Sequence, residues 1–466
     1  MSGPQAPAPD WDGALEGARS APLWRVDGRV VKVVGPVVES QGPQARVGEL
    51  CRIRMPQRAD VDAEVVAFNE GRLQLMPVGS TEGIGVALPV AGTGRGPEVP
   101  VGDDLIGRVL DPRCRRPWPG EEGAGRDGGP GTSERIQPLD EGEALEEGES
   151  APLYREVLNP LTRQPIDTPL DLGIRSVNAL FPVAQGQRMG IFAGAGVGKS
   201  TLLGMMARYT EADVNVIALV GERGREVREF LEQDLGEEGR ARTVLVVATS
   251  DMSPLLRMRA AFMATAIAEH FRAEGKHVLL LMDSLTRMAW AQREIGLAVG
   301  EPPIDKGYTP SVLNLLPRLL ERAGRDEGPG SITGIYTVLM EGDDFEDPVA
   351  DAVRAILDGH LVLDRNLADR GHYPAIDPQA SISRLAPQIR PPEVEENARK
   401  FQRAWSQIQE VEDLVQVGAY QEGQRPEVDR ALAHRDKLEA FLRQEVDEPE
   451  TLEDAWKRLA DVVAPL

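Results

Sequence analysis

Residues 193–200 restrict the fold of this chain more than any other part of it. They read Ala-Gly-Ala-Gly-Val-Gly-Lys-Ser and follow the apolar run Met189–Phe192. This order predicts a buried strand, a glycine-rich turn and a helix that starts near Lys199. Three glycines let consecutive backbone N–H groups point inward and bind polyphosphate oxygens, and the positive end of the helix adds to that anion site. Ala193 stands where the strict motif has glycine. A glycine-rich turn without phosphate is the alternative, and the Gly-Lys-Ser sequence between strand and helix disfavours it.

The same motif assigns a role to each of its polar side chains. Lys199 is expected to reach the β- and γ-phosphates of a nucleotide, and the Ser200 hydroxyl is expected to bind Mg²⁺. ATP and Mg²⁺ are therefore the predicted cofactors. The residues predicted to bind the nucleotide through this loop are Gly194, Ala195, Gly196, Val197, Gly198, Lys199, Ser200 and Thr201.

Composition predicts a soluble cytoplasmic protein of about three domains. Of its 466 residues, 41% are hydrophobic and 27% are charged. No stretch approaches the roughly 18 apolar residues of a membrane span, and the N-terminus lacks the pattern of a signal peptide. Two cysteines are too few for a disulfide framework, and no Cys/His spacing suggests zinc. A net charge of −23 argues against a nucleic-acid partner, because phosphate contacts need clustered Lys and Arg.

Shifts in sequence pattern along the chain predict a multidomain protein. An N-terminal small β-barrel follows from short strand-like runs, an α/β core from apolar runs that alternate with helical patterns, and a C-terminal helical domain from charged helical segments. One further strand is expected over 101–110, and helices are expected over 394–416 and 426–444. The predicted segments are a disordered, partner-binding N-terminus (1–22), the barrel (23–100), an acidic Gly-rich connector (101–154), the P-loop core (155–386) and the helical domain (387–466).

Two carboxylates follow apolar strands within the core. Asp283 ends the run His277–Met282, where a carboxylate beside a phosphate loop would hold Mg²⁺ or its waters. Capping of the next helix is the alternative, which the upstream loop disfavours. Glu222 follows the run Ile217–Val220 and could orient an attacking water and accept its proton. A solvated charge cluster at a helix start explains Glu222 equally well, so the sequence alone leaves this choice open.

Several further motifs resemble those of known ATPases. The segments 221–226 (Gly-Glu-Arg-Gly-Arg-Glu), 282–287, 371–377 and 381–384 resemble the catalytic heads of rotary ATPases and their export relatives. More narrowly, the segments 187–194, 203–209, 251–258, 300–303 and 341–344 resemble the flagellum-specific ATPases of type III protein export. The likeness covers roughly residues 24–445 and is weak over 112–150. It implies a RecA-like P-loop ATPase core.

The resemblance also implies roles for individual residues. Glu222 corresponds to the catalytic glutamate of the family, with Arg223 beside it in the same turn, and Asp283 corresponds to its metal-binding aspartate. Tyr373 matches the aromatic residue that packs on adenine. Arg384 matches the arginine finger that stabilises charge on the γ-phosphate. Without the resemblance, Tyr373 would be read as packing in a turn and Arg384 as a surface residue.

One chain that carries both Glu222 and Arg384 is expected to form a ring. In the rotary synthase head these two residues belong to different polypeptides, so a finger here would serve a neighbour's site through a head-to-tail contact. The resemblance predicts a homo-hexamer that hydrolyses ATP to energise flagellar protein export. It implies a regulatory export-apparatus protein at the N-terminus and a stalk protein in the central channel, near 298–308. Export chaperones and substrates would bind the C-terminal helices, and association with the inner membrane would be peripheral, through the export gate.

Four alternatives remain open on the sequence. A virulence-type secretion ATPase is the nearest one, since its motifs are shared. A catalytic subunit of an ion-translocating rotary ATPase is disfavoured by the presence of Glu222 and Arg384 in one chain. A nucleic-acid translocase is disfavoured by the negative charge, and a nucleotide-binding scaffold with degenerate sites by intact Lys199, Glu222 and Asp283.

Overall fold

The computed structural model describes residues 27–56, 58–113, 149–340 and 346–466. The described residues form two compact units, one ending at residue 95 and the other comprising 96–466 together with 78–80. The predicted disordered segment 1–22, Cys114, most of the predicted connector and the motif at 341–344 lie outside the described residues. Domain boundaries therefore stay a prediction.

The first unit is a closed antiparallel β-barrel, as predicted. Its strands pair in the order β1-β2-β5-β4-β3-β6 and enclose an apolar core that includes Val38, Val65 and Leu75. Two strands were not predicted, because Val37–Gln41 and Pro89–Gly92 are short and carry polar or turn residues. The strands are β1 (Gly28–Val34), β2 (Val37–Gln41), β3 (Leu50–Ile53), β4 (Val61–Asn69), β5 (Arg72–Pro77) and β6 (Pro89–Gly92).

The second unit is built on a nine-stranded, mostly parallel sheet, which confirms the predicted α/β core. Its strands, and those of two small antiparallel pairs, are β7 (Glu98–Pro100), β8 (Val109–Leu110), β9 (Ser150–Pro152), β10 (Pro169–Leu170), β11 (Val183–Ala184), β12 (Arg188–Ala193), β13 (Val214–Val220), β14 (Thr243–Ala248), β15 (His277–Asp283), β16 (Gly324–Arg325), β17 (Ser331–Leu339), β18 (Gly359–Leu363) and β19 (Ile382–Ser383).

Strand order in the large sheet is β19-β18-β12-β17-β15-β13-β14-β8, with β16 beside β17. Strands β13 and β14 are buried at every residue, as expected for a parallel sheet covered on both faces by helices. Parallel pairing brings the carboxyl ends of β12, β13 and β15 to one edge of the sheet. The glycine-rich turn, Glu222 and Asp283 follow or end these three strands.

Helices cover the sheet and form the C-terminal domain. The longest in the core has Ser253 as its N-cap, with the hydroxyl accepting from the Leu256 N–H, and Pro254 in its first turn. The helices are α1 (Arg175–Leu180), α2 (Lys199–Tyr209), α3 (Gly224–Glu229), α4 (Gly236–Arg240), α5 (Pro254–Ala273), α6 (Leu285–Ala298), α7 (Pro310–Leu320), α8 (Pro348–Ile356), α9 (Arg365–Asp369), α10 (Ala386–Ile389), α11 (Pro392–Gln416), α12 (Pro426–Ala433), α13 (Arg435–Leu442) and α14 (Leu452–Val463). A π-helical segment, Phe230–Leu235, follows α3.

The strand predicted over 101–110 is wrong. The chain instead makes a 3₁₀ turn at Asp103–Leu105, and only Val109–Leu110 form a strand. Gly102 and Gly107 both adopt positive φ angles, which interrupt an extended segment. The two-residue strand β8 joins the edge of the large sheet beside β14.

The C-terminal helices share their apolar core with the nucleotide-binding part of the unit. Ala398, Phe401, Trp405 and Ile408 line one face of α11 at the spacing of an amphipathic helix and are buried. They belong to the same buried cluster as Leu180 of α1. The helix predicted over 426–444 is interrupted at His434, and α14 was not predicted.

A buried ion pair connects α5 to the segment after α7. The Arg322 guanidinium is fully buried and donates to both oxygens of Glu269 at 2.8 and 2.7 Å, and to the Leu153 carbonyl at 3.0 Å. Arg155 Nε lies 3.9 Å from Glu269 and is more exposed, and the charge of Arg272 also acts on Glu269. Removing Arg322 would leave a buried carboxylate without the two hydrogen bonds that Arg322 donates.

We expect Arg322→Met to destabilise the protein by about 3–5 kcal/mol, because loss of one partner leaves a buried charge. The midpoint of urea unfolding, followed by circular dichroism, measures this. Arg228→Met is the matched control: its ion pair with Glu232 is exposed, and its loss should leave the unfolding midpoint close to that of the wild type. Equal shifts in the two variants would contradict the prediction.

Candidate functional site

The glycine-rich turn forms an open cradle between β12 and α2. Gly196 and Gly198 have φ angles of 77° and 86°, which favour glycine. The helix begins with a hydrogen bond from the Leu202 N–H to the Gly198 carbonyl at 3.0 Å. The N–H groups at the start of α2 therefore have no partner within the helix and are suited to bind an anion. Ser200 is exposed at this helix start.

Lys199 lies between two carboxylates at the carboxyl edge of the sheet. Its Nζ bonds directly to Asp283 Oδ1 and is 3.8 Å from Glu222 Oε1. Asp283 is buried, and the same oxygen also accepts from the Thr337 hydroxyl at 2.7 Å. The structure thus brings together three of the predicted site residues, which come from α2, the turn after β13 and the end of β15.

The environment of Glu222 raises its affinity for a proton. Burial and the negative charge of Asp283 raise the pKa of Glu222 to about 7, against the opposing effect of Lys199. Its Oε1 is buried and has no hydrogen-bond partner among the described residues. A carboxyl group with a pKa near 7 can accept a proton at neutral pH, which is what a general base requires.

Two arginines flank Glu222 in different ways. The Arg223 side chain is 74% exposed and pairs with Glu226 at 3.6 Å, so it points into solvent. Arg287, on α6, packs against the turn itself: a Cβ on Gly221 would lie 2.9 Å from the Arg287 Cβ. Its guanidinium stacks on Trp290 at 4.9 Å and opposes the rise in the pKa of Glu222. Arg287 therefore acts on the Glu222 carboxyl group through its charge, whereas the Arg223 side chain lies in solvent beside it.

Thr201 faces away from the cluster toward the π-helical segment. Its hydroxyl bonds to Asp234, whose pKa burial raises. The segment also approaches α2 closely, since a Cβ on Gly204 would lie 2.5 Å from the Asp234 carbonyl oxygen. The side chain of Thr201 therefore holds α2 in place, while its backbone lies in the first turn of that helix.

Tyr373 lies on the rim of the cradle. It follows α9, is 45% exposed, and two of its ring carbons would be 3.3 Å from a Cβ on Gly198. A flat, partly exposed ring beside the phosphate-binding turn can pack on a planar base.

Arg384 lies at the opposite end of the sheet from the glycine-rich turn. Its N–H bonds to the Asp358 carbonyl, at the amino end of β18, whereas the turn leaves β12 beside Leu363, at the carboxyl end. The five residues of β18 place the Asp358 carbonyl about 16 Å along the strand from the end at which the glycine-rich turn begins. The exposed Arg384 side chain donates to the Arg354 carbonyl at 3.3 Å. Within one chain, Arg384 is not part of the Lys199 cluster.

Sequence reasoning missed Thr337, which holds Asp283. Thr337 is on β17, the strand that pairs with β15, and Tyr336 is opposite Met282 in that pairing. The available signal was a hydroxyl residue near the carboxyl end of an apolar strand, but only the sheet order shows that β17 is adjacent to β15.

Among the described residues, no helix is long and apolar enough to cross a bilayer.

Three family descriptions match consecutive parts of the chain. The β-barrel domain of the ATP synthase alpha/beta family matches residues 30–94, and the nucleotide-binding domain of that family matches residues 173–383. The T3SS EscN ATPase C-terminal domain matches residues 391–461. The last match is to export ATPases specifically.

Curated relatives are similar over nearly the whole chain. The flagellum-specific ATP synthase of Pseudomonas aeruginosa is 50% identical over 94% of this chain and 93% of its own. That of Salmonella typhimurium is 49% identical over 95% of each chain. The type 3 secretion system ATPase of Xanthomonas euvesicatoria is 47% identical over 93% of each chain.

Solved structures agree with the fold. The assembled ATPase EscN from the type III secretion system of enteropathogenic E. coli has a TM-score of 0.84 and 41% identity, covering 94% of this chain and all of that one. EscN in complex with its central stalk EscO gives a TM-score of 0.81 at the same identity and coverage. The sequence, the three-part fold and these similarities together show that the chain belongs to the family of flagellum-specific ATP synthases and type III secretion ATPases.

Proposed function

We propose that this chain hydrolyses MgATP in a homo-hexameric ring and that the reaction energises export of flagellar proteins. The observation that carries the proposal is the cluster of Lys199, Asp283 and Glu222 at the mouth of the glycine-rich turn. Flagellum-specific relatives at 50% and 49% identity favour flagellar export, whereas the 47% identity to a type 3 secretion system ATPase supports virulence-type secretion as the second candidate.

Triphosphate binding would use the N–H groups of the turn and the Lys199 ammonium. Now paired with Asp283, this ammonium would turn to the β- and γ-phosphates when a nucleotide enters. The turn residues 194–201 would surround the phosphates, and Tyr373 would pack on the adenine base.

The residues present fit a magnesium ion bound together with the nucleotide. Mg²⁺ is commonly held by one or two carboxylates, phosphates and waters, and Asp283 and the exposed Ser200 hydroxyl supply oxygen ligands of this kind. No cluster of three or more His, Cys, Asp and Glu side chains suited to a metal occurs in the described parts of the chain. When bound, the ion would neutralise charge on the β- and γ-oxygens.

Glu222 would act on the attacking water. Its buried carboxylate would orient the water in line with the scissile bond and accept its proton, while the water oxygen bonds to the γ-phosphorus and the bridging oxygen leaves on ADP. Arg223 would turn from Glu226 toward the γ-phosphate, since most of its side chain is exposed to solvent.

Arg384 would serve the site of a neighbouring copy. It lies far from the glycine-rich turn of its own chain, so a role as arginine finger requires a second protomer in head-to-tail contact. The assembled state of EscN supports this arrangement. Repetition of the contact would close a ring with up to six equivalent sites.

Partners would bind at the surfaces that the ring leaves open. The EscN complex with its central stalk EscO supports a stalk protein in the channel, near 298–308. We propose a regulatory export-apparatus protein for the N-terminal segment, and export chaperones and substrates for the C-terminal helices. The ring would work in the cytoplasm, peripheral to the inner-membrane export gate, without nucleic acid.

Mixing two inactive variants tests the shared site. Arg384→Ala should reduce ATPase activity by at least about 10³-fold, the range in which arginine fingers act. Glu222→Ala should reduce it by about 10²–10⁴-fold, the range in which general bases act. Mixed rings should recover activity, because some interfaces then contain an intact Glu222 and an intact Arg384. Mixed rings that form, as seen by native mass spectrometry, and yet stay inactive would contradict the proposal.

The pH dependence of turnover tests the role of Glu222 as base. The raised pKa of about 7 predicts that kcat/KM increases with pH through this region, as the carboxyl loses its proton. Measurement from pH 5.5 to 9 gives the profile, with Glu232→Gln as the control, because Glu232 pairs with the exposed Arg228. A profile that falls with pH through this region would argue against a base with this pKa.

The same pKa predicts a gain in stability for Glu222→Gln. Because burial raises the pKa of Glu222 from 4.5 to about 7, the folded state holds the proton more tightly than the unfolded state. This contribution is present below about pH 4.5 and is lost as the pH rises to 7, so removal of the carboxyl should stabilise the protein by about 3 kcal/mol at pH 8. Urea unfolding at pH 5 and pH 8 measures the difference, which should be much smaller at pH 5. A variant less stable than wild type at pH 8 is the contrary result.

A further inference from the structure

The loop that carries Tyr373 is hydrogen-bonded to the C-terminal helical domain. The backbone N–H of Gln444, two residues after α13, donates to the Tyr373 carbonyl at 2.9 Å. Next to this bond, Arg443 Nε donates to His372 Nδ1 at 3.4 Å. Two consecutive residues of the helical domain thus contact two consecutive residues of the loop.

The Gln444 side chain is buried and uses all of its polar atoms. It is 6% exposed; its Oε1 accepts from the Arg175 N–H at 2.7 Å, and its Nε2 donates to the Gly173 and Glu448 carbonyls at 2.8 and 2.7 Å. These three bonds fix the backbone of residue 444 against the segment that leads into α1. An amide is the side chain that provides one acceptor and two donors in this geometry.

Arg175 fixes the same junction from the other side. Its guanidinium is buried, pairs with Glu450 at 2.6 Å and donates to the Arg443 carbonyl at 2.7 Å. Residues 443 and 444 are therefore held at both the main chain and the side chain. A backbone fixed this firmly can hold the Tyr373 carbonyl, and with it the ring, in a constant position relative to the glycine-rich turn.

The other end of this series of contacts is the glycine-rich turn, because the Tyr373 ring lies against Gly198. We propose that Gln444 is a positioning residue for the Tyr373 ring: its side chain fixes the main-chain N–H that holds the Tyr373 carbonyl and so sets where the ring meets the adenine base. The inference rests on the proposed function, in which Tyr373 packs on adenine. It identifies a residue of the C-terminal domain that controls base binding without touching the nucleotide.

Comparison of ADP with inorganic pyrophosphate isolates the contribution of the adenosine moiety, which contains the base, to the binding free energy. Both carry the diphosphate that binds to the turn, but only ADP has a base for Tyr373. Titration calorimetry of the full chain with Mg²⁺ gives the two dissociation constants. In Gln444→Met, which keeps the length of the side chain and loses its three hydrogen bonds, affinity for ADP should fall by about fivefold, the lower end of what one aromatic–base stack contributes, with pyrophosphate affinity unchanged.

Two control variants separate positioning from general damage. Trp456→Phe removes a hydrogen bond to the Asn178 carbonyl in the contact of α14 with α1, without any bond to the loop, and should leave the ratio of the two constants unchanged. Gln444→Glu is the second test variant, because it keeps the shape but places an oxygen against two carbonyls, and it should lower ADP affinity selectively as well. If Gln444→Met fails to fold and loses both ligands, Gln444→Glu decides.

Tyr373→Ala separates the positioning role of Gln444 from the adenine contact of Tyr373. If this variant lowers ADP affinity selectively but both Gln444 variants leave the ratio at the wild-type value, the positioning role is overturned and the proposed function is untouched. An unchanged ratio in Tyr373→Ala overturns the adenine contact and the positioning role with it. An equal loss of ADP and pyrophosphate in Trp456→Phe and Gln444→Glu would show a structural role only.

Discussion

The ammonium of Lys199 and the two carboxylates beside it set the conditions for the rest of the site. Asp283 is buried and held by Thr337, so its negative charge needs the positive charge of Lys199 close by. Burial and then the negative charge of Asp283 raise the pKa of Glu222 to about 7, and the charge of Lys199 opposes that rise. A triphosphate would draw Lys199 away and change the balance for both carboxylates at once. In the proposed mechanism, ligand binding and the preparation of Glu222 as a base are therefore coupled electrostatically.

The direction of the strands explains why the proposed role of Arg384 needs a second chain. A parallel sheet brings the phosphate-binding turn, Glu222 and Asp283 to one edge, and the antiparallel edge strand β19 returns the chain to the opposite edge before Arg384. No rotation of an arginine side chain spans that separation of about 16 Å. In the proposed mechanism, a positive charge supplied from Arg384 has to come from another copy, which would make assembly a requirement of the chemistry.

The sequence alone was sufficient for the fold class and for the positions of Lys199 and Asp283, because a glycine-rich turn and an apolar strand ending in a carboxylate have few other uses. The role of Glu222 was left open, because the sequence of a charged turn is the same whether the turn is solvated or buried. Thr337 and Gln444 could not be found, because their importance arises from contacts between segments distant in the chain. The strand expected at 101–110 failed because two glycines with positive φ outweighed the apolar pattern.

ATPase activity per protomer, measured over a wide range of protein concentration, tests most directly the claim that two copies complete each site. We expect specific activity to rise steeply with concentration as rings form. Protomers that mass photometry shows to be monomeric after dilution should hydrolyse almost no ATP. Specific activity that stays constant down to concentrations at which only monomers remain would contradict this claim.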